Sequence, residues 1–333
     1  MTERDKAMSS KKYVLVLLEN KRNQSISGEY IAGQLNVSRN TVWKAIKDLR
    51  NDGYKIKAVT NKGYCLCEDN DILSVEGMMP HLSQESFSDN IFVYDRLEST
   101  NKTAKEMAIS GAEHGTVIIA DCQTAGKGRY GRTFHSPPDH GLYMSIIIQP
   151  TQYSFSAPTL ITAFAAVTVC EAIEAVSDNT PKIKWVNDIF LDGKKVCGIL
   201  TEAVTDFESG NMQWIVVGIG INYSTPVTEF PEDLQHIAGS VFGTDTPPAT
   251  RNRLAAEIVN RFFTQENKYD EKAMLEKYKQ RMFMLGKIVL VTGTAEPYEA
   301  MAVDVDSIGH LVVQKSTGEQ LSLSAGEISI RDK

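Results

Sequence analysis

The chain has 333 residues, 42% hydrophobic and 23% charged, a globular composition too long for one ordinary core, so two or three domains are expected. No apolar run approaches the roughly 20 residues that span a bilayer, and the opening Met1-Thr2-Glu3-Arg4-Asp5-Lys6 is not a secretory leader, so a cytoplasmic protein with no membrane partner is expected. The first 68 residues hold 13 Lys and Arg against 7 Asp and Glu, a net +6, and leave 22 against 35, a net −13, in the rest: a basic module suited to nucleic acid precedes a body too acidic to share that ligand.

The run Tyr13 to Leu18 starts a short apolar helix, and Ser27 caps a second one through Leu35. Asn36-Val37-Ser38 makes a tight turn. Ser38 caps a third helix whose buried stripe is Val42, Ala45, Ile46 and Leu49, with Arg39, Asn40, Thr41, Trp43, Lys44 and Lys47 facing out. Alternation over Tyr54 to Val59 and Gly63 to Leu66, with Asn61-Lys62-Gly63 at the tip, predicts a hairpin, the wing of a winged helix-turn-helix. Ser38, Arg39, Asn40, Thr41 and Lys44 on the third helix and Lys62 on the wing are the candidate DNA contacts. A three-helix protein-binding module with a solvated basic face is the alternative.

Glu68-Asp69-Asn70-Asp71 is a polar break, so the first domain is placed at residues 1–68. A strand at Ile91 to Tyr94 leads to Ser99-Thr100-Asn101 and a helix from Lys102 to Ile109. By themselves those three residues read as helix capping, yet a helix start also gathers N–H groups and hydroxyls around a polar ligand. The strand Thr116 to Asp121 runs into Gln123-Thr124-Ala125-Gly126-Lys127-Gly128-Arg129-Tyr130-Gly131-Arg132, where three glycines and three cations share seven positions. Such a loop allows close backbone approach and offers charge to phosphate or carboxylate, or it is a solvated basic turn. It is neither a GxxxxGK[ST] phosphate loop nor a dinucleotide GxGxxG, because an apolar strand, Gly141 to Ile148, follows instead of a helix.

Ile183 to Glu202 reads as strand, Asp192-Gly193 turn, strand. It carries Lys184, Asn187, Asp188 and Lys195, which exposed hairpin charges also explain. Trp214 to Asn222 is a strand broken by Gly218 and Gly220, a mark of close approach by a ligand or a second backbone. A helical pattern covers Thr250 to Tyr278. Alternating runs at 288–291, 300–305 and 311–313 predict a small β-barrel. The five cysteines, Cys65, Cys67, Cys122, Cys170 and Cys197, lack CxxC spacing and read as reduced packing thiols.

Ser99-Thr100-Asn101, the Gln123 to Arg132 loop, Lys184-Trp185-Val186-Asn187-Asp188, Lys195 with Gly198-Ile199-Leu200, and Gly218 to Asn222 resemble, in order and over nearly the whole chain, the motif set of biotin protein ligases. With the winged helix ahead of them, the chain is similar to the bifunctional class that also represses the biotin operon. Val186 stands where the family pattern has proline, and Tyr130 and Phe134 where it often has arginine and tryptophan.

The resemblance implies an α+β multidomain protein. Its parts would be a winged helix-turn-helix over 1–68, a mixed α/β, class II aminoacyl-tRNA synthetase-like ligase over 69–283, and an SH3-like barrel over 284–333. It implies biotin contacts from Ser99, Thr100, Asn101, Gln123, Lys127, Gly128, Arg129, Lys195, Gly198 and Gly218. Nucleotide contacts would come from Arg129, Arg132, Lys184, Asn187, Asp188 and Asn222, with Lys195 and Arg129 catalytic and Asp188 a ligand of Mg²⁺. Biotin and ATP would be substrates, a biotin carboxyl carrier domain and operator DNA the partners, and a homodimer the DNA-bound form. A lipoate or octanoate transferase, or a metabolite-sensing transcription factor without turnover, are the competing readings.

Overall fold

The computed structural model describes residues 9–150, 157–205, 212–243, 247–264, 270–292, 296–324 and 326–330. The opening hexapeptide lies outside these. The chain forms two compact units, Met1–Asp89 with Ala249–Glu257, and Asn90–Pro248 with Ile258–Lys333.

In the first unit, α1 (Ser10–Asn20), α2 (Gly28–Leu35) and α3 (Arg39–Asn51) bury Val14, Leu18, Ile31, Val42, Ile46 and Leu49 in one cluster. Local chemistry sets the boundaries. Ser27 Oγ accepts from Tyr30 N at 3.0 Å and Ser38 Oγ from Thr41 N at 3.1 Å. Asn36 closes α2 in the left-handed region at φ 52°, a conformation asparagine tolerates. The hairpin of β1 (Ile56–Val59) and β2 (Gly63–Leu66) pairs antiparallel, with Val59 opposite Gly63.

The acidic stretch at 68–71 does not end this unit. Lys55 N donates to Asn70 Oδ1 (2.9 Å) and Arg22 to Asn70 O (2.5 Å). Arg251, 2% exposed at the start of α7 (Arg251–Thr264), donates to Asp71 through its backbone N–H and through Nε, both at 2.8 Å. A polar string looks like a linker in sequence; here the side chains of Asn70 and Asp71 each accept from a backbone N–H, while Glu68 and Asp69 stay exposed.

The second unit is built on a seven-stranded sheet, β3 (Ile91–Leu97), β4 (Val117–Gln123), β5 (Gly141–Ile148), β6 (Lys182–Lys184), β7 (Asp188–Leu191), β8 (Lys194–Thr205) and β9 (Met212–Asn222), in the order β3-β4-β5-β9-β8-β7-β6. Only β3 and β4 run parallel. Between them lies α5 (Thr100–Ile109), whose Ala104 and Ala108 pack on Ile118, Ile147 and Val216. β5 is buried at all eight positions.

The expectation of no long apolar run is corrected by α6 (Pro158–Val176). Its window Thr159–Val176 has mean hydropathy 1.7 and is long and apolar enough to span a bilayer, yet 72% of it is buried against protein. Glu171 and Glu174, which break the run near its end, pair with Lys277 and Arg281 of α8 (Glu271–Arg281). The helical pattern expected over 250–278 resolves into α7 and α8, with residues 265–269 outside the described part.

The C-terminal strands β10 (Ile288–Thr292), β11 (Tyr298–Val305), β12 (Leu311–Gln314), β13 (Gln320–Leu323) and β14 (Glu327–Ile330) pair in the order β13-β12-β11-β10-β14. Among the described residues the two edges do not meet, so the expected barrel is an open antiparallel sheet. Trp185 Nε1 donates to Gly309 O at 3.1 Å, anchoring this sheet on the β6–β7 turn.

Candidate active site

Ser99 stands at the N-cap of α5 without a side-chain capping bond and is 2% exposed, so simple capping does not account for it. The first turn is held from outside instead. Gln123 Oε1, at the end of β4, accepts from Thr100 N (2.8 Å) and Thr100 Oγ1 (3.1 Å), while Gln123 Nε2 donates to Ser136 Oγ (3.0 Å). Asn101 Nδ2 donates to Leu200 O (3.2 Å) and Glu202 Oε2 (2.8 Å), and Ser145 Oγ donates to Asn101 Oδ1 (2.7 Å). Burial works against charge on Glu202, but hydrogen bonds from Lys105 and Asn101 outweigh it and hold the carboxyl below its usual range.

Gly218 and Gly220 of β9 are required by these side chains. A Cβ at Gly218 would lie 2.1 Å from Asn101 Oδ1, and one at Gly220 2.7 Å from the Phe134 ring. The close approach expected from glycines in a strand is therefore made by an amide and an aromatic ring.

The cationic loop joins β4 to β5 as expected and closes on itself: Gly128 N donates to Arg132 O (2.8 Å) and Phe134 N to Gly126 O (2.9 Å). At its tip Tyr130 adopts φ 56° with its hydroxyl 3.0 Å from Arg129. The Arg129 guanidinium also donates to Asn187 Oδ1 (3.1 Å) and Gly326 O (3.4 Å). In the same cavity as Arg129, Lys195 Nζ pairs with Asp188 Oδ1 at 2.6 Å. Asn222 Nδ2 is engaged with Gly239 O at 3.0 Å, and Lys184 lies over the Phe190 ring.

Every residue expected to touch biotin or nucleotide lines one of two cavities that share Lys127, Phe134, Gly198 and Leu200. The smaller, about 30 Å³, is walled by Ser99, Thr100, Asn101, Gln123 and Gly218. The larger, about 440 Å³, is walled by Gly128, Arg129, Arg132, Lys184, Asn187, Asp188, Lys195 and Asn222. Small uncharged polar groups thus meet a chamber with five cations and a single carboxylate, an arrangement matched to a neutral polar ring attached to a polyanion.

Sequence reading noted Phe134 only as a departure from the family pattern, yet its ring rests on Gly198 and Gly220 between the cavities; it passed over the segment from Phe230 to Ala238, whose Ile237 O accepts from Lys195 N at 2.9 Å. Ser145 was also missed, although a lone hydroxyl inside a wholly buried strand is itself a signal, since it must find a partner. All five cysteines are free and buried, as expected. Burial pushes the Cys197 thiol well above its usual range, which unsuits it as a nucleophile.

On α3 the other expected face is present: Ser38, Arg39, Asn40, Lys44 and the wing's Lys62 are exposed, while Thr41 is half-buried.

Three family descriptions match the chain: an HTH domain over residues 11–65, the biotin/lipoate A/B protein ligase family over 93–222, and a biotin protein ligase C-terminal domain over 284–331. The bifunctional ligase/repressor BirA of Bacillus subtilis is 39% identical over 231 residues, 69% of this chain and 70% of that protein. The protein of the same name from Escherichia coli is 27% identical over 310 residues, 92% of each. Among solved structures, biotin protein ligase from Aquifex aeolicus in complex with biotin and ATP superposes with a TM-score of 0.62 at 26% identity, covering 73% of this chain and 99% of that one.

Proposed function

The chain belongs to the bifunctional ligase/repressor branch of the biotin protein ligases, and from that premise we propose how its residues divide the work. The protein activates biotin with ATP, transfers it to a lysine of a biotin carboxyl carrier domain, and represses biotin genes by binding operator DNA. The observation that carries the residue assignment is the junction of a small polar pocket with a cationic cleft across Lys127, Phe134 and Gly198.

In the first step a biotin carboxylate oxygen attacks the α-phosphorus of ATP and pyrophosphate leaves. In the second, the carrier lysine amine attacks the acyl carbon of the mixed anhydride and AMP leaves. Neither step needs an enzyme nucleophile. Ser99, Thr100, Asn101, Gln123 and Gly218 receive the ureido ring. Lys127, Gly128, Arg129, Lys195 and Gly198 lie along the activated carboxylate, and Arg132, Lys184, Asn187, Asp188 and Asn222 along the nucleotide. Lys195 and Arg129 stabilise charge that develops on the α-phosphate, a term worth about 3 kcal/mol for one well-placed donor.

No group of three His, Cys, Asp or Glu side chains able to cage a metal occurs among the described residues. That suits Mg²⁺ carried mainly by a triphosphate with one protein carboxylate. Asp188, the one carboxylate lining the cleft, would be that ligand, and the ion would neutralise phosphate charge.

The three segments 1–68, 69–283 and 284–333 correspond to DNA binding, ligation and a carrier- or ATP-contacting cap. The central fold is read as class II synthetase-like. The protein acts in the cytoplasm, without a membrane partner, and the adenylate promotes a homodimer on a palindromic operator. Two measurements test the two halves. Pyrophosphate release should depend on biotin and not on lipoate or octanoate; release driven by those acids overturns the substrate. Sedimentation and footprinting should show a dimer and a protected site only with adenylate; an unchanged monomer and no protection overturn the repressor.

A further inference from the structure

The exposed side of α3 repeats every four residues: Arg39, Trp43 and Lys47 form one row and Asn40 and Lys44 the next. In the middle of this polar face stands Trp43, 52% exposed, its ring approached by Lys47 Nζ at 5.6 Å from the centroid. None of the DNA contacts assigned above uses it. The Lys47 cation over its ring stabilises the free protein only weakly at so exposed a site, whereas burying the indole in a complex removes a large apolar surface from solvent.

Indole offers an apolar face, one N–H donor and no acceptor. Of the four bases, only thymine presents the matching set in the major groove, a C5-methyl group beside the O4 acceptor. Cytosine and adenine present amino donors there, and guanine presents two acceptors without an apolar group, which suits Arg39 better. We infer that Trp43 is a sequence-reading residue that selects thymine through its methyl group in each half-site. The inference rests on the operator-binding reading above.

The test uses the full chain with biotin and Mg-ATP. Duplexes are first selected from a random-sequence pool, and each thymine of the selected site is then replaced by deoxyuridine, which removes only the methyl. At one thymine per half-site the wild type should lose about fourfold in affinity per half-site, the worth of one buried methyl. Trp43→Ala should bind thymine and uracil equally there, while Arg39→Ala keeps the difference. Trp43 is exposed and lines neither ligase cavity, so the Trp43→Ala protein should keep wild-type pyrophosphate release, and an unchanged unfolding midpoint of its winged helix shows that the DNA-binding unit itself is folded.

Uracil tolerated everywhere by the wild type, or a thymine preference that survives Trp43→Ala, overturns the role of Trp43 while leaving operator binding intact. Failure to select any duplex overturns operator binding itself, and this inference with it.

Discussion

At the scale of single residues, the polar pocket is a set of interlocked commitments. Asn101 is oriented by Ser145, Leu200 and Glu202, and Gly218 exists because Asn101 needs its space. Gly218→Ala should push Asn101 off this geometry at an overpacking cost of about 1–3 kcal/mol. Biotin affinity, read by calorimetry, should then fall about tenfold or more; unchanged affinity would remove Asn101 from the pocket's function.

Glu202 gives a pH prediction. Its carboxyl titrates below its ordinary value of 4.5 in the folded protein, so its charged contacts favour folding above that pH and are lost as pH falls through the lower folded value. Glu202→Gln should therefore lower the melting temperature near neutrality, and the gap to wild type should close in acid. A gap independent of pH contradicts the charged role.

Ser99-Thr100-Asn101 and Lys195 stand out in sequence only through the ordered motif set they share with biotin protein ligases; alone they read as helix capping and as an exposed hairpin charge. Glu202 and Phe134 do not stand out: one ends an ordinary strand, the other is an ordinary aromatic, and only the fold brings them to Asn101 and Gly220.

At the scale of elements, caps and turns were the most readable feature, since Ser27, Ser38 and Asn36 act through neighbours three or four residues away. Ser38→Ala should cost about 1 kcal/mol of winged-helix stability, and DNA affinity should fall because the first turn of α3 frays; an unchanged denaturation midpoint would contradict the cap.

The cationic loop was legible as an anion-binding segment but not as a closed one. Its partners Asn187 and Gly326 lie 58 and 197 positions away in sequence. Arg129→Gly removes all three guanidinium contacts without touching the strands. Dissociation of preformed labelled adenylate should accelerate about tenfold or more, the worth of a charge-assisted bond; retention at the wild-type rate contradicts its role as a clasp.

α6 escaped reading because it is apolar all round, which is what burial on every side requires and what erases the 3.6-residue signal. The open C-terminal sheet likewise could not be read from alternation, which specifies strands and faces but not whether the edges meet.

At the scale of the molecule, charge asymmetry was the clearest guide: a net +6 in the first 68 residues and −13 in the rest separate a basic module from an acidic body whose cleft is lined by five cations and one carboxylate. The limit of the first unit was less legible, because the buried Arg251 and the half-buried Asp71, 180 positions apart, pair within it.

The claim at the centre of this account is that the cleft activates biotin with ATP and passes it to a lysine of another protein, with Lys195 as the main electrostatic residue. Its most direct test is mass spectrometry of a biotin carboxyl carrier domain incubated with the full chain, biotin and Mg-ATP. The carrier should gain one biotinyl group, lost when its target lysine is replaced, and Lys195→Ala should slow the gain about a hundredfold or more. A carrier whose mass does not change, or a Lys195→Ala protein that modifies it at the wild-type rate, contradicts the account.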